Sequence, residues 1–462
     1  MQSVFGVTYN SIKRHFHNRY PRMIPKDKYI ISKKLQKKAH ELIPGGCHTY
    51  AKGDDQYPEL SPGFIVRGKG SHVWDVDGNE FIEYGMGLRA VSLGHAYDPV
   101  VRAAYESMKN GSNFTRPSPI ETECAEILLD IINNGEQVKF AKDGSSVLTA
   151  AVKLARAYTG KDKIAICASH PFFSYNDWFI GTTEVNAGIP DIYKFLTISF
   201  IYNDISSLKE LFNVEGNNIS CVVMEAARTE EPENDFLLEV QRLCQENNAL
   251  FILDEMITGF RWDLRGAQNI YKLQPDLSCF GKAMANGFSV SALVGKKDIM
   301  ELGGLLHGKE RVFLLSTTHG AENHSLAAAI KTMKIYKDEP VIEKLYMLGE
   351  RLTKGINKII DELEIREFFF LLGRPCNLVY ATRDQNKHPS QLYRTLFLQE
   401  IIKRGILAPS FVVSYSHSYQ DIDNTIEIVG EALMVYKKAL LEGIGSFLVG
   451  DPVKPVYRKY NF

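Results

Sequence analysis

The regular alternation of short apolar segments with helical ones beyond residue 138 constrains the fold most. Apolar segments of about five residues predict buried strands, and helical periodicity between them predicts covering helices. The predicted strands are 138–142, 163–167, 221–225, 250–254 and 277–281, and the clearest helices between them are 147–158 and 236–247. This alternation is typical of an α/β fold with a mostly parallel sheet.

The length of the chain, 462 residues, favours more than one domain. A long helical stretch at 326–361 precedes a strand pair around 368–372 and 378–381, and helices at 391–403 and 422–441 follow. We therefore expect a large domain over 41–330, whose N-terminal segment contributes to the small domain, and a smaller α+β domain over 331–462. Residues 1–40 are basic and irregular, which favours a solvated arm over an anion site.

Composition argues against several classes of protein. The formal net charge of −1 gives no reason to expect binding to nucleic acid or to a membrane, and no apolar run is long enough to span one. The N-terminus lacks the pattern of a secretory signal. The seven cysteines are scattered without a C-x-x-C pair, so we expect reduced thiols in a cytoplasmic protein, neither disulfides nor a metal site.

Two charged residues follow predicted strands in a way that indicates a site. Asp254 ends an apolar strand, and Lys282 comes just after the next one, flanked by small residues. Open α/β sheets place ligands at the carboxyl ends of their strands. Taken singly, Asp254 is better explained as a helix cap or as part of a surface salt bridge, and Lys282 is better explained as a solvated surface lysine.

Together, an aspartate and a lysine in this arrangement are what a pyridoxal-phosphate (PLP) site needs. The carboxylate keeps the pyridine nitrogen protonated, so that the ring can accept electron density. The lysine amine holds the cofactor as a Schiff base and then moves the substrate proton. The pair predicts PLP as the cofactor, with Lys282 and Asp254 as catalytic residues.

A turn between strand and helix offers a place for the phosphate. Gly144 and Ser145 lie at the predicted start of a helix, where free N–H groups and the helix dipole favour an anion. The alternative is an ordinary helix cap. Neither a G-x-x-x-x-G-K-[ST] loop nor a G-x-G-x-x-G segment after a strand supports a nucleotide site.

These residues belong to a longer set of matches. The chain resembles the class III, fold type I PLP-dependent aminotransferases, and within them most resembles the glutamate-1-semialdehyde 2,1-aminomutases. The matching segments are collinear between about residue 33 and residue 440, and they are 42–46, 73–78, 93–95, 154–160, 254–261 and 281–282. The resemblance implies a fold type I transferase with the two domains described above.

The resemblance also implies cofactor-binding positions. Phe172 or Phe173 falls where the family stacks an aromatic ring on PLP, with a core phenylalanine pair as the alternative, and Met256 falls against the opposite face of the ring. Glu225 matches an active-site glutamate. Thr318, or His319 beside it, matches a stretch that reaches the phosphate of the neighbouring subunit, which implies a homodimer with shared active sites.

The residues that differ from those of the aminomutases lie where the family contacts the substrate. Ser146 replaces a glutamate, residues 408–413 lack an acidic residue, and residues 85–89 replace small residues and tryptophan with a run that ends in Arg89. A guanidinium at this position would bind a carboxylate or phosphate of the substrate. Alternatively, Arg89 pairs with an acid and braces its loop, and Arg374 becomes the next candidate.

The activity implied is that of an aminotransferase, which moves an amino group from a small-molecule donor to an aldehyde or ketone acceptor. An intramolecular aminomutase is the alternative within PLP chemistry. A noncatalytic protein that keeps the fold for binding is a third interpretation, and it is disfavoured because both Asp254 and Lys282 are present.

Overall fold

The computed structural model describes residues 28–132, 134–170 and 172–460. The longer helices are α1 (Ile30–Leu42), α2 (Asp98–Met108), α3 (Pro119–Ile131), α4 (Gly144–Thr159), α5 (Ile205–Glu215), α6 (Phe236–Glu246), α7 (Asn323–Asp338), α8 (Val341–Glu362), α9 (Gln391–Lys403) and α10 (Tyr419–Glu442). The strands are β1 (Ile65–Lys69), β2 (His72–Asp75), β3 (Glu80–Glu83), β4 (Gln137–Ala141), β5 (Lys163–Cys167), β6 (Thr197–Phe200), β7 (Ile219–Glu225), β8 (Leu250–Asp254), β9 (Leu277–Phe280), β10 (Ser291–Gly295), β11 (Phe369–Leu372), β12 (Val379–Thr382) and β13 (Ile406–Leu407). Helices of four or five residues are Met86–Arg89, Asp177–Ile180, Ile192–Leu196, Ala267–Ile270 and Lys297–Met300.

A seven-stranded sheet in the order β4-β10-β9-β8-β7-β5-β6 forms the centre of the fold. The neighbours from β9 to β6 are parallel, and β10 is antiparallel to both β9 and β4. All residues of β7, β8, β9 and β10 are buried, as expected for strands covered on both faces. The predicted α/β fold with a mostly parallel sheet is confirmed.

Helix α4 begins where its sequence provides a cap. The Asp143 carboxylate accepts a hydrogen bond from the backbone N–H of Ser146 at 2.9 Å, which satisfies one of the free donors of the first turn. The helix then buries a face that includes Val147, Leu148, Ala151 and Leu154 against the sheet. The cap and the apolar face fix the position of the turn that leads from β4 into α4.

The long helical stretch predicted at 326–361 is two helices, α7 and α8. They are separated at Glu339 and Pro340. Proline lacks a backbone N–H and disfavours helical geometry in the residue before it, so the chain leaves the first helix there and begins a second.

A second sheet joins residues 65–83 to residues 406–407. Strands β1, β2 and β3 are antiparallel neighbours, and β13 pairs with β3 in parallel, with Ile406 opposite Ile82. Strands β11 and β12 form a separate antiparallel pair. Residues near the N-terminus of the described chain therefore pack with residues beyond 400.

The N-terminal arm differs from the expectation where it is described. Residues Ile30–Leu42 form α1, so this part is helical and not irregular. The basic residues expected in the first part of the arm, before residue 28, lie outside the described residues. Within the described ranges, no helix combines the length and the apolar character needed to cross a bilayer.

Candidate active site

The ends of three parallel strands place the predicted catalytic residues together. The Cα of Glu225 at the end of β7 pairs with that of Asp254 at the end of β8, and Asp254 in turn pairs with Cys279 of β9. Lys282 follows three residues after Cys279, just past the end of β9. Strand register therefore sets Glu225, Asp254 and Lys282 along one edge of the sheet.

Asp254 is a buried carboxylate with few donors. Its Oδ1 accepts a hydrogen bond from the backbone N–H of Met256 at 2.9 Å, which is the only donor to this side chain among the described residues. Burial and the nearby Glu225 carboxylate raise the pKa of Asp254 to about 8. A cationic group beside Asp254 would reverse this shift by stabilising the ionised carboxylate.

Lys282 faces this carboxylate without being tied to it. In the part of the chain that the structure describes, the Lys282 amine makes no hydrogen bond and no ion pair within 4 Å. Burial lowers the pKa of Lys282 more than the carboxylates of Asp254 and Glu225 raise it. The shifts of Asp254 and Lys282 both favour the neutral forms, and a neutral amine is the nucleophilic form of lysine.

The backbone turns at Lys282 and does not continue the strand. Lys282 has a φ of +47°, in the left-handed region that non-glycine residues rarely adopt. A Cβ on the preceding Gly281 would lie 2.6 Å from the Oγ of Ser291 and 2.8 Å from the Sδ of Met256. Glycine at 281 therefore allows the chain to turn closely past β10 and Met256.

Met256 lies between the lysine turn and the start of α4. A Cβ on Gly144 would lie 3.0 Å from the Met256 Sδ, so the absence of a side chain at 144 makes room for the thioether. Met256 itself is buried. This contact joins Gly144, predicted at the phosphate from its position at a helix start, with Met256, which the resemblance placed at the ring of the cofactor.

The first turn of α4 has hydrogen-bond donors that an anion can use. The backbone N–H groups of Gly144 and Ser145 have no acceptor among the described residues, as expected for the first residues of a helix. The Ser145 Oγ accepts from the backbone N–H of Tyr175 at 3.2 Å, which leaves its hydroxyl proton free to donate. Both residues can therefore donate to a phosphate, as their position at a helix N-terminus favours.

Phe172 and Phe173 have different environments. Phe173 is 1% exposed and packs edge-on against the rings of His170 and Phe179, so it belongs to the core. Phe172 is 46% exposed and contacts Phe179 with ring centroids 5.9 Å apart. Phe172 is therefore the one with a ring face available to a ligand.

Arg89 does not form the structural ion pair that was its alternative role. Its Nε donates to the Oδ1 of Asn377 at 2.8 Å, and no carboxylate of the described residues lies within 4 Å of its guanidinium. Burial, together with the charges of Arg228 and Arg261, lowers the pKa of Arg89 to about 10. The two terminal nitrogens of the fork have no acceptor among the described residues.

Arg374, the second candidate for substrate recognition, is occupied by structural contacts. It donates through Nε and Nη2 to both carboxylate oxygens of Glu231 at 2.9 Å each, and its guanidinium lies 4.7 Å from the centre of the Trp262 ring. A bidentate ion pair of this kind leaves little of the fork for a ligand.

Sequence analysis did not single out three residues that act on the site. Arg228 contacts Glu225, with its Nε 3.5 Å from Oε2, and its charge lowers the pKa of Lys282. His170 accepts a hydrogen bond at Nδ1 from the backbone N–H of Glu225 at 3.1 Å. Arg261 is completely buried and donates to the carbonyl oxygens of Val413 at 3.0 Å and Arg89 at 3.3 Å.

Thr318 lies apart from this group. It is an exposed residue of a turn, and its carbonyl oxygen accepts from the Nδ2 of Asn113 at 2.9 Å. Among the described residues, no hydrogen bond or ion pair joins Thr318 to Lys282, Asp254 or Gly144. The neighbouring His319 is also exposed, and its Nδ1 lies 3.5 Å from Glu322.

The residues fit PLP. Among the described residues, the Lys282 amine has no hydrogen-bond partner, the buried Asp254 carboxylate has no cation within 4 Å, and the first N–H groups of α4 have no acceptor. These groups meet the needs of the aldehyde, the pyridine nitrogen and the phosphate of this cofactor. All three lie at the carboxyl edge of the sheet or beside it, where ligands of open α/β folds bind.

Comparisons with known proteins agree with this assignment. Residues 52–368 match the family aminotransferase class-III. The chain is 31% identical over 436 residues to 3-aminobutyryl-CoA aminotransferase of Cloacimonas acidaminovorans, covering 90% of this chain and 100% of that protein. It is also 31% identical over 424 residues to glutamate-1-semialdehyde 2,1-aminomutase of Archaeoglobus fulgidus, covering 87% and 99% of the two chains.

The fold agrees as well. The FumI protein of Sphingopyxis sp. MTA144, solved in its PLP internal aldimine form, superposes with a TM-score of 0.82 at 24% identity, covering 90% of this chain and 98% of that one. The predicted resemblance, fold and cofactor are confirmed. The chain therefore belongs to the class-III aminotransferase family and is a PLP-dependent aminotransferase.

Proposed function

We propose that this enzyme passes an amino group from an anionic amino donor to an aldehyde or ketone, with Lys282 as the catalytic base. The observation that carries the proposal is the Lys282 amine, which has no partner among the described residues and faces the carboxylates of Asp254 and Glu225. Such an amine is free to hold the cofactor covalently and, once released, to move a proton.

Each site residue then has a defined task. PLP supplies an electron sink when bound. Asp254 would hold a proton on the ring nitrogen, Gly144 and Ser145 would donate to the phosphate, and Phe172 and Met256 would pack against the ring. Lys282 would take the proton from the substrate carbon and return it, and burial lowers the pKa of its amine towards the form that can accept a proton.

Glu225 and Arg89 lie on the substrate side of this arrangement. Burial raises the pKa of Glu225, although the charges of Arg228, Lys282 and Arg89 oppose this effect. The unpaired fork of Arg89 is suited to a carboxylate or phosphate, which it would bind through two parallel hydrogen bonds. Arg89 therefore favours a donor or acceptor that carries such a group.

The test follows the visible absorbance of the purified, PLP-loaded enzyme. Addition of an amino donor alone should bleach the cofactor band, and a carbonyl acceptor added afterwards should restore it. Turnover of a single substrate without a second one would instead identify an intramolecular aminomutase. No spectral change with any amine would leave the noncatalytic interpretation.

We further propose that the enzyme is a cytoplasmic homodimer in which Thr318 of each subunit approaches the phosphate of the other. The segment leading to Thr318 carries exposed apolar side chains, with Leu305, Leu306 and Phe313 exposed to 78%, 85% and 71%. Burial of such side chains against a second copy would stabilise the assembly. Six of the seven cysteines are buried and all are free, which is typical of a reducing compartment.

A further inference from the structure

We propose that Arg228 is a second specificity-determining residue, which shares with Arg89 the binding of the anionic group of the substrate. The inference rests on the proposed function, because it concerns the same site. It adds a residue that neither sequence analysis nor the resemblance assigned, and it defines the substrate as one with a carboxylate or phosphate held between two guanidinium groups.

The first support is that the guanidinium of Arg228 is only partly used. Its one ion pair within the described chain is the 3.5 Å contact between its Nε and the Oε2 of Glu225. The Nη1 and Nη2 atoms have no acceptor among the described residues, and the side chain is 35% exposed. Like Arg89, Arg228 therefore presents donors that water or a ligand must satisfy.

The second support is that both arginines lie beside the same segment and act on the same amine. Arg89 donates to Asn377, and a Cβ on Gly373 would lie 3.1 Å from the carbonyl oxygen of Asn377 and 3.4 Å from that of Arg228. Arg89 and Arg228 each lower the pKa of Lys282, and Arg228 also lowers that of Arg89. Two guanidinium groups close enough to affect each other and the catalytic lysine repel one another. An anion bound between them would relieve this repulsion.

The balance of charge gives the third support. Once a protonated ring nitrogen pairs with Asp254, Glu225 is the remaining carboxylate that acts on Lys282, whereas Arg89 and Arg228 supply two positive charges. Glu225 contacts Arg228, whereas Arg89 has no carboxylate of the described residues within 4 Å in this partly desolvated pocket. Partly buried charges are stable when paired, so a substrate with one anionic group completes the site.

An alternative role for Arg228 is to hold Glu225 in place. The contact of 3.5 Å with Nε is longer than an ordinary charge-assisted hydrogen bond, which is about 2.7–2.9 Å. Glu225 is also fixed from its backbone, because its N–H donates to His170. The contact between Arg228 and Glu225 is thus weaker than the two hydrogen bonds that Nη1 and Nη2 of Arg228 can donate to a ligand.

The test measures anion binding and chemistry separately in the PLP-loaded enzyme. Glutarate and methylphosphonate serve as unreactive carboxylate and phosphonate probes, and their dissociation constants are measured by isothermal titration calorimetry. The variants are Arg228→Gln and Arg228→Lys. Arg351→Gln is the matched control, because Arg351 forms an exposed bidentate pair with Asp423 on another face.

We expect Arg228→Gln to weaken binding of at least one probe by about 10- to 100-fold, as for loss of hydrogen bonds to a charged group. Arg228→Lys should fall between this variant and the wild type, and Arg351→Gln should equal the wild type. The probe that is affected identifies the carboxylate or the phosphate as the preferred group. The half-reaction with an uncharged amine, 1-phenylethylamine, should lose less of its rate in both Arg228 variants than the half-reaction with an anionic donor.

Unchanged affinity for both probes in Arg228→Gln would overturn the inference, as would failure of the wild type to bind either probe. An equal loss with the uncharged amine would also overturn it, since Arg228 would then only position Glu225. Failure of the proposed function looks different. Borohydride reduction of the PLP-loaded enzyme would then label a lysine other than Lys282, whereas probe binding would still depend on Arg228.

Discussion

Replacement of Asp254 by asparagine should make the cofactor-free protein more stable at alkaline pH while it removes catalytic power. The pKa of the buried carboxyl is raised to about 8, far above the value of an aspartate in the unfolded chain. Between these two pKa values the folded state binds the extra proton, so the contribution of Asp254 to stability decreases as pH rises and is lost once pH passes the folded-state pKa.

The expected change in the free energy of unfolding follows from this difference of one bound proton. Stability changes by about 1.4 kcal/mol per pH unit for each proton, so the wild-type apoprotein should lose up to about 3 kcal/mol between roughly pH 6 and pH 8 relative to Asp254→Asn. The ionised Asp254 carboxylate raises the pKa of Lys282, so the substitution lowers the pKa of that amine and adds to the difference between the two proteins in the same direction.

The assay is urea unfolding of both apoproteins at several pH values, with Asp338→Asn as an exposed control on the surface of α7. Loading with PLP should flatten the pH dependence of the wild type, because a protonated ring nitrogen gives the carboxylate a partner. The holoenzyme variant should lose its rate sharply while it still folds. Parallel pH curves for the two apoproteins would refute the reasoning and would mean that Asp254 is ionised against a protonated Lys282.

Other substitutions test the remaining assignments. Lys282→Ala should abolish turnover and leave PLP bound only noncovalently. Borohydride reduction and peptide mapping of the wild type should label Lys282. A label on another lysine would contradict the assignment. Phe173→Ala should destabilise the fold by about 3–5 kcal/mol in urea unfolding, whereas Phe172→Ala should leave stability nearly unchanged and weaken PLP binding in a fluorescence titration. Arg89→Lys and Arg89→Ala should both raise the apparent KM for an anionic donor, because a lysine cannot reproduce the fork; wild-type kinetics in both half-reactions would exclude Arg89 from recognition.

Much of the site could be predicted because its signals are local. Asp254 and Lys282 each follow an apolar segment, and the pattern of strand, turn and helix at Gly144 has a recognisable cap in Asp143. Parallel neighbours share an edge, so residues at the ends of such strands come together without any knowledge of the loops. The registers of β7, β8 and β9 place Asp254 opposite Cys279, three residues before Lys282.

Other features depend on contacts that no local pattern encodes. Strand β10 was not predicted, since five residues that include serine, alanine and glycine give a weak signal for a strand. The role of Arg228 follows from its distance to Glu225 and its effect on Lys282; the only hint in the sequence is a charge three residues after a predicted site glutamate. The choice between Phe172 and Phe173 required their burial, because adjacent phenylalanines share the same local sequence.

The backbone that carries Arg89 supports a role for its side chain beyond bracing a loop. Met86, Leu88 and Arg89 have φ values of +44°, +57° and +73°, a run that costs roughly 1–3 kcal/mol for each such residue. Arg261 helps to hold this run, because its guanidinium is fully buried and donates to the carbonyl of Arg89, and Asn377 fixes the Arg89 side chain at Nε. A loop that needed only bracing would not require a left-handed run or a buried cation as its support. The arrangement orients the free end of the Arg89 fork, and orientation matters most where a planar anion must be met by two parallel hydrogen bonds.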